Sequence, residues 1–60
     1  MNIPKDPVML MSYINTQLRD NYPSLADLTK SLGLDENEIM DKLNGIGMKY
    51  DPKLNRFMSK

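Results

Sequence analysis

Apolar side chains recur at a helical period along most of this chain and give way to strand-like alternation near its end. With a step of about 100° per residue, Leu10, Met11, Ile14, Leu18 and Tyr22 share one stripe. The stripe predicts helix 1 over about 7–21. Asp6 stands where a carboxylate accepts from the orphan amides of a helix start, and Pro7 suits the first helical position, which needs no donor. Pro23 disfavours helical geometry at Tyr22 and stops the helix. Ser24 followed by Asp27 is a capping-box variant, and Leu25, Leu28 and Leu32 share a face, so helix 2 spans about 25–32. Gly33 supplies the left-handed residue after it, and Leu34 folds back as the apolar contact. Asp35 and Glu38 form the next capping box. Ile39, Met40, Leu43 and Ile46 form the buried stripe of helix 3, over about 36–45, with Gly45 and Gly47 ending it.

The period then changes. Met48, Tyr50 and Phe57 read as inward positions, and Lys49, Lys53 and Arg56 as outward ones. Asp51-Pro52-Lys53-Leu54-Asn55 is a turn sequence, with Asp at its first position, Pro at its second and Asn where a left-handed residue follows. A hairpin over about 48–58 results, with Tyr50 and Phe57 as a cross-strand aromatic pair. A capped short helix, a glycine, a second capped helix, then a glycine and a hairpin is the order of a winged helix-turn-helix. The expected fold is therefore mainly α: a three-helix, helix-turn-helix-like bundle with a small C-terminal β-hairpin, a miniature winged helix formed by residues 1–60 as one domain.

A second resemblance runs along nearly the whole chain. Pro4-Lys5-Asp6-Pro7, Leu10, Ile14-Asn15, Leu18-Arg19-Asp20, Ser24-Leu25, Leu28, Lys42-Leu43, Gly47, Tyr50-Asp51, Asn55 and Phe57 resemble the bacterial family of domain of unknown function 4250. The resemblance implies a bacterial, cytoplasmic setting and a domain that is the entire protein. It transfers no catalytic or binding residue.

Composition removes much chemistry. Among 60 residues there is no histidine, cysteine or tryptophan. That excludes a cysteine–histidine metal site, a disulfide framework, a thiol nucleophile and a histidine base. A chain this small buries only about 60% of its unfolded surface, and oligomerisation is one remedy. No apolar run nears the roughly 18 residues of a membrane span, and the first residues lack the layout of a signal peptide. A cytoplasmic protein with no membrane partner is expected. Asp35, Glu36 and Glu38 sit at an exposed helix start, where capping explains their spacing. No catalytic residue, cofactor or metal ligand is assigned, and an enzyme is not expected.

Charge is balanced overall at eight basic against eight acidic residues but split along the chain. Residues 24–47 carry Lys30 and Lys42 against Asp27, Asp35, Glu36, Glu38 and Asp41, a net of −3, whereas residues 48–60 carry a net of +3. In a helix-turn-helix the start of the second motif helix enters the major groove. Here it would bring Asp35, Glu36, Glu38 and Asp41 against a polyanion whose affinity comes mainly from Lys and Arg. Helix 3 is therefore not expected to bind nucleic acid. Lys49, Lys53, Arg56 and Lys60 around Tyr50 and Phe57 form the alternative nucleic-acid surface. The simpler reading of these charges is an edge kept soluble and unpaired. They could also meet the acidic helix 3 of another copy.

Helix 1 is apolar beyond its core stripe. Met9 and Tyr13, one turn apart, fall nearly opposite that stripe, beside Val8 and flanked by Gln17. Val8, Met9, Tyr13 and Gln17 are therefore the candidate interface for a protein partner or a homodimer. The competing reading is that the arm Met1-Asn2-Ile3 covers them. Asn15 and Arg19, also one turn apart, lie at the edge of the buried stripe and read as structural support, with a ligand or partner site as the alternative. The function expected is a non-enzymatic protein-interaction module.

Overall fold

Three helices followed by a two-stranded antiparallel hairpin make up the computed structural model of the chain, which describes residues 3–59. Helix α1 spans Pro7–Asp20, α2 Leu25–Leu32 and α3 Glu36–Asn44; strands β1 and β2 span Met48–Asp51 and Arg56–Ser59. Each helix starts on the residue its sequence marks. The Asp6 carboxylate accepts from the Val8 and Met9 amides, both at 3.1 Å. The Ser24 hydroxyl oxygen accepts from the Asp27 amide at 3.1 Å while its proton is donated to the Asp27 carboxylate at 2.8 Å. Asp35 accepts from the amides of Asn37 and Glu38 at 2.9 and 3.4 Å. These bonds satisfy orphan donors, each worth about 1 kcal/mol relative to alanine.

Helix α1 ends one residue before the sequence-based boundary, because Asn21 leaves the helical region and serves as its cap. Helix α2 closes as expected: Gly33 is left-handed at φ 70°, and the amide of Leu34 reaches back to the Thr29 carbonyl at 2.8 Å.

Helix α3 ends within the expected bounds and departs from expectation in two ways, at Ile46 and at Glu38. Its last residue is Asn44, and Gly45 caps it in an ordinary right-handed conformation. The left-handed residue is Gly47, at φ 78°. Ile46 therefore lies beyond the helix, off its stripe, and is exposed rather than buried. The reciprocal half of the predicted capping box is replaced as well, since the Glu38 carboxylate turns forward to the Lys42 ammonium at 3.5 Å.

The core is one cluster drawn from every helix and from β2: Leu10, Ile14, Leu18, Leu25, Leu28, Ile39, Leu43 and Phe57. Stripes of period 3.6 on three helices share this core with one aromatic ring from the hairpin. The buried Thr29 hydroxyl is satisfied within its own helix, donating to the Leu25 and Ala26 carbonyls at 3.1 and 3.2 Å.

The hairpin forms in the expected register, Tyr50 opposite Phe57 and Asp51 opposite Arg56. The aromatic rings are tilted with centroids 5.5 Å apart. The Asp51 carboxylate accepts from the Lys53 and Leu54 amides, and Asn55 takes the left-handed position at φ 54°.

Candidate functional site

Most side chains that could have formed a polar site are engaged inside the fold. Asn15 faces the hairpin from α1. Its carboxamide oxygen accepts from the Phe57 amide at 2.7 Å and its Nδ2 donates to the Phe57 carbonyl at 3.2 Å. One side chain thereby does for β2 what a neighbouring strand's peptide would do. Asn55 works in the opposite direction, from the hairpin turn back to α1. Its Nδ2 donates to the carbonyls of Leu18 and Tyr22 at 3.1 and 2.9 Å, at the helix end where carbonyls lack intrahelical donors. Its Oδ1 accepts from the Tyr50 phenol at 2.7 Å, and that phenol oxygen accepts from the Leu25 amide at 3.2 Å. The end of α1, the start of α2 and the hairpin are thus joined by one chain of hydrogen bonds. No buried side-chain polar atom among the described residues lacks a partner.

Sequence reasoning placed Tyr50, Asn15 and Asn55 correctly but missed these bonds. An asparagine in mid-helix at the border of an apolar stripe was the available signal for Asn15. The turn pattern around Asn55 specifies its backbone and carries no sign of its side-chain partners.

The α1 candidate surface is smaller than its helical wheel implies. Val8 and Met9 are exposed, at 59% and 62%. Tyr13 is half-buried and packs against the core cluster, so it is not the exposed partner of Met9. A long aromatic side chain at the flank of a short helix reaches round to the apolar interior, which a wheel of Cα positions does not show. Gln17 is half-buried, its Oε1 accepting from Asn21 at 2.8 Å. Ile3 of the N-terminal arm also packs on the core, while Met1 and Asn2 lie outside the described residues.

The basic residues are spread out. Lys49, Lys53 and Arg56 are exposed, and Lys60 lies outside the described residues. On the outer face of the hairpin Lys49 neighbours Met58, and Arg56 neighbours Asp51. A groove of about 670 Å³ between α1 and the turn brings Arg19 near Arg56, with Ser12 and Thr16 beside them. Arg19, however, is already paired: its guanidinium donates to both oxygens of the Asp20 carboxylate, at 2.8 and 2.9 Å.

That pair shifts both groups. The hydrogen bonds hold the Asp20 carboxyl below its ordinary range, and they raise Arg19 further. A depressed carboxylate adds stability that is present above its unfolded pKa and lost as pH falls through the lower folded value. Both side chains are solvated, so the effect on folding is small. Titrating the Asp20 carboxyl carbon by NMR is expected to give a midpoint below the ordinary value of 3.8, and Arg19→Gln is expected to return it towards that value.

At the start of α3, Asp35, Glu38 and Asp41 are exposed and Glu36 is half-buried. Asp35 is committed to capping and Glu38 to Lys42. Among the described residues no group of three acidic side chains stands close enough to hold a metal ion. A second groove, of about 720 Å³, runs between α3 and β1, with Met40, Met48 and Tyr50 among its walls.

Comparison with known proteins gives one match. The family model described as Domain of unknown function (DUF4250) matches residues 4–57. No curated protein and no solved structure matches the chain.

Proposed function

We propose that this chain, which belongs to the family described as Domain of unknown function (DUF4250), is a small non-enzymatic protein-interaction module of the bacterial cytoplasm. Its scaffold is helix-turn-helix-like, with the hairpin as a miniature wing, but nucleic acid is not its target. The observation that carries this reading is the exposure of Val8 and Met9, side by side on the first turn of α1. Together with the half-buried border formed by Tyr13 and Gln17, they offer a protein partner an apolar contact with a polar rim. Methionine adapts its shape to a partner at little cost. The inner polar groups support the reading from the other side: Asn15, Tyr50 and Asn55 are spent on joining the helices to the hairpin. Among the described residues no helix is long and apolar enough to cross a membrane.

The nucleic-acid alternative draws on Lys49, Lys53 and Arg56. Two facts weigh against it. Arg19 is neutralised by Asp20, and the exposed carboxylates of α3 occupy the end that would approach the phosphates. Two measurements test the reading. In quantitative capture from the native host, proteins retained by the wild type are expected to be lost with Val8→Lys/Met9→Lys, whose circular dichroism should match the wild type because both side chains are exposed. Labelled duplex and single-stranded DNA and RNA are expected not to bind at micromolar concentration. Binding that falls steeply with salt and weakens on neutralising Lys53 and Arg56 would replace the protein-interaction reading with the nucleic-acid one.

A further inference from the structure

The hairpin has two edges, and the fold treats them differently. Residues opposite each other in an antiparallel pair alternate between exchanging peptide hydrogen bonds and pointing those groups outward. Phe57 gives its N–H and C=O to Asn15, so both point away from β1. Its cross-strand partner Tyr50 therefore points its own N–H and C=O away from β2, and so does Met48, opposite Ser59. The outer edge of β2 is closed by α1 through the Asn15 carboxamide. The outer edge of β1 has no such cover: no hydrogen bond to the peptide groups of Met48 or Tyr50 is formed on that side among the described residues. An unpaired strand edge is a template for another strand. The groove between α3 and β1 opens beside it, with the half-buried Met40 and Met48 in its walls and the exposed Ile46 close by in sequence.

We infer that the β1 edge is a self-association site, at which a second copy of this chain adds its own β1 antiparallel to form a four-stranded sheet across a twofold axis. Charge complementarity selects the second copy over an unrelated strand. Tyr50 offers both of its peptide groups outward, so the axis that uses them passes between Tyr50 and Tyr50 of the second copy. In that register Lys49 lies opposite Asp51 of the second copy, and Asp51 opposite its Lys49, giving two opposite-charge cross-strand pairs from a four-residue strand. A register centred on Lys49 would pair the outward peptide groups of Met48 and Tyr50 across the axis but would place the two Lys49 ammonium groups directly opposite each other. Pro52 limits the ladder, because it has no N–H to add beyond the central pair. The same Lys49 and Pro52 that guard the edge against other strands fit this one. The axis also brings the two methionine-lined grooves together, burying apolar surface that a lone copy leaves partly open.

This surface is separate from Val8 and Met9, so it stands or falls apart from the reading given above. The test is sedimentation equilibrium from micromolar to about 1 mM on the wild type, on a chemically synthesised chain N-methylated at Tyr50, on Lys49→Glu and on Met9→Lys. N-methylation removes the outward donor and leaves every side chain and every β1–β2 bond in place. Lys49→Glu changes one exposed charge and serves as the independent variant should methylation perturb folding. The expected result is a concentration-dependent dimer that N-methyl-Tyr50 or Lys49→Glu weakens at least about tenfold and Met9→Lys leaves unchanged. A wild type that stays monomeric throughout overturns the inference, whatever other strand it accepts. So does a dimer broken by Met9→Lys but intact in both β1 variants.

Discussion

Phe57→Ala is expected to abolish the cooperative fold at 25 °C. Phe57 is 1% exposed and is the one buried aromatic in a core cluster that draws on all three helices. Truncating a fully buried phenylalanine costs about 3–5 kcal/mol through lost transfer free energy and the cavity left behind. A 60-residue domain has only about 3–9 kcal/mol of stability in total, at roughly 0.05–0.15 kcal/mol per residue. The loss is thus comparable with the whole. No disulfide is present to hold the chain together in the meantime. The measurements are a urea titration followed by far-ultraviolet circular dichroism and the dispersion of methyl signals in a proton NMR spectrum. Phe57→Leu, which keeps most of the buried volume, is expected to remain folded and to lose about 1–1.5 kcal/mol. An alanine variant that unfolds cooperatively within about 1 kcal/mol of the wild type would show that the hairpin is an accessory and that the helices form the core alone.

The helices of this protein are legible in its sequence because local signals agree with the global pattern. Asp6, Ser24 and Asp35 each precede an apolar stripe, Gly33 follows one, and all four act as expected. The hairpin is legible for the same reason, since Asp51, Pro52 and Asn55 prescribe a turn whose flanks alternate. Ile46 is misread because helical spacing was extended past Asn44, where Gly45-Ile46-Gly47 unwinds the chain. Tyr13 is misread because a wheel gives the direction of a Cα–Cβ bond and not the reach of a phenol ring. The candidate α1 surface was therefore half legible: Val8 and Met9 stand where expected, and Tyr13 does not. The polar network was not legible at all. It joins residues 37 and 42 positions apart, and no periodicity carries information over that separation. The openness of β1 depends on the same long-range bond, because only the Asn15–Phe57 contact tells which way the Tyr50 peptide groups point.

Asn55 provides the second large effect, because its backbone and its side chain do separate work and two substitutions divide them. Asn55→Gly keeps the left-handed backbone at no steric cost and removes only the side chain. Its loss is therefore that of the network: two donors leave the Leu18 and Tyr22 carbonyls, and the Tyr50 phenol loses its acceptor. With net values near 1 kcal/mol per bond and a further penalty for partly buried groups left unpaired, the expected destabilisation is about 2–3 kcal/mol. Asn55→Ala adds the strain of a β-carbon at φ 54°, about 1–2 kcal/mol more, and is expected to bring the domain near its unfolding midpoint in water. Tyr50→Phe removes the phenol from the same chain of bonds while keeping the ring against Phe57. Its effect is expected to fall short of additivity with Asn55→Gly, because both variants break the one Tyr50–Asn55 bond. Urea unfolding of the single and double variants gives the coupling directly. If Asn55→Gly costs less than about 0.5 kcal/mol, the turn needs only its backbone conformation, and solvent replaces the side chain at the end of α1 as effectively as the amide does.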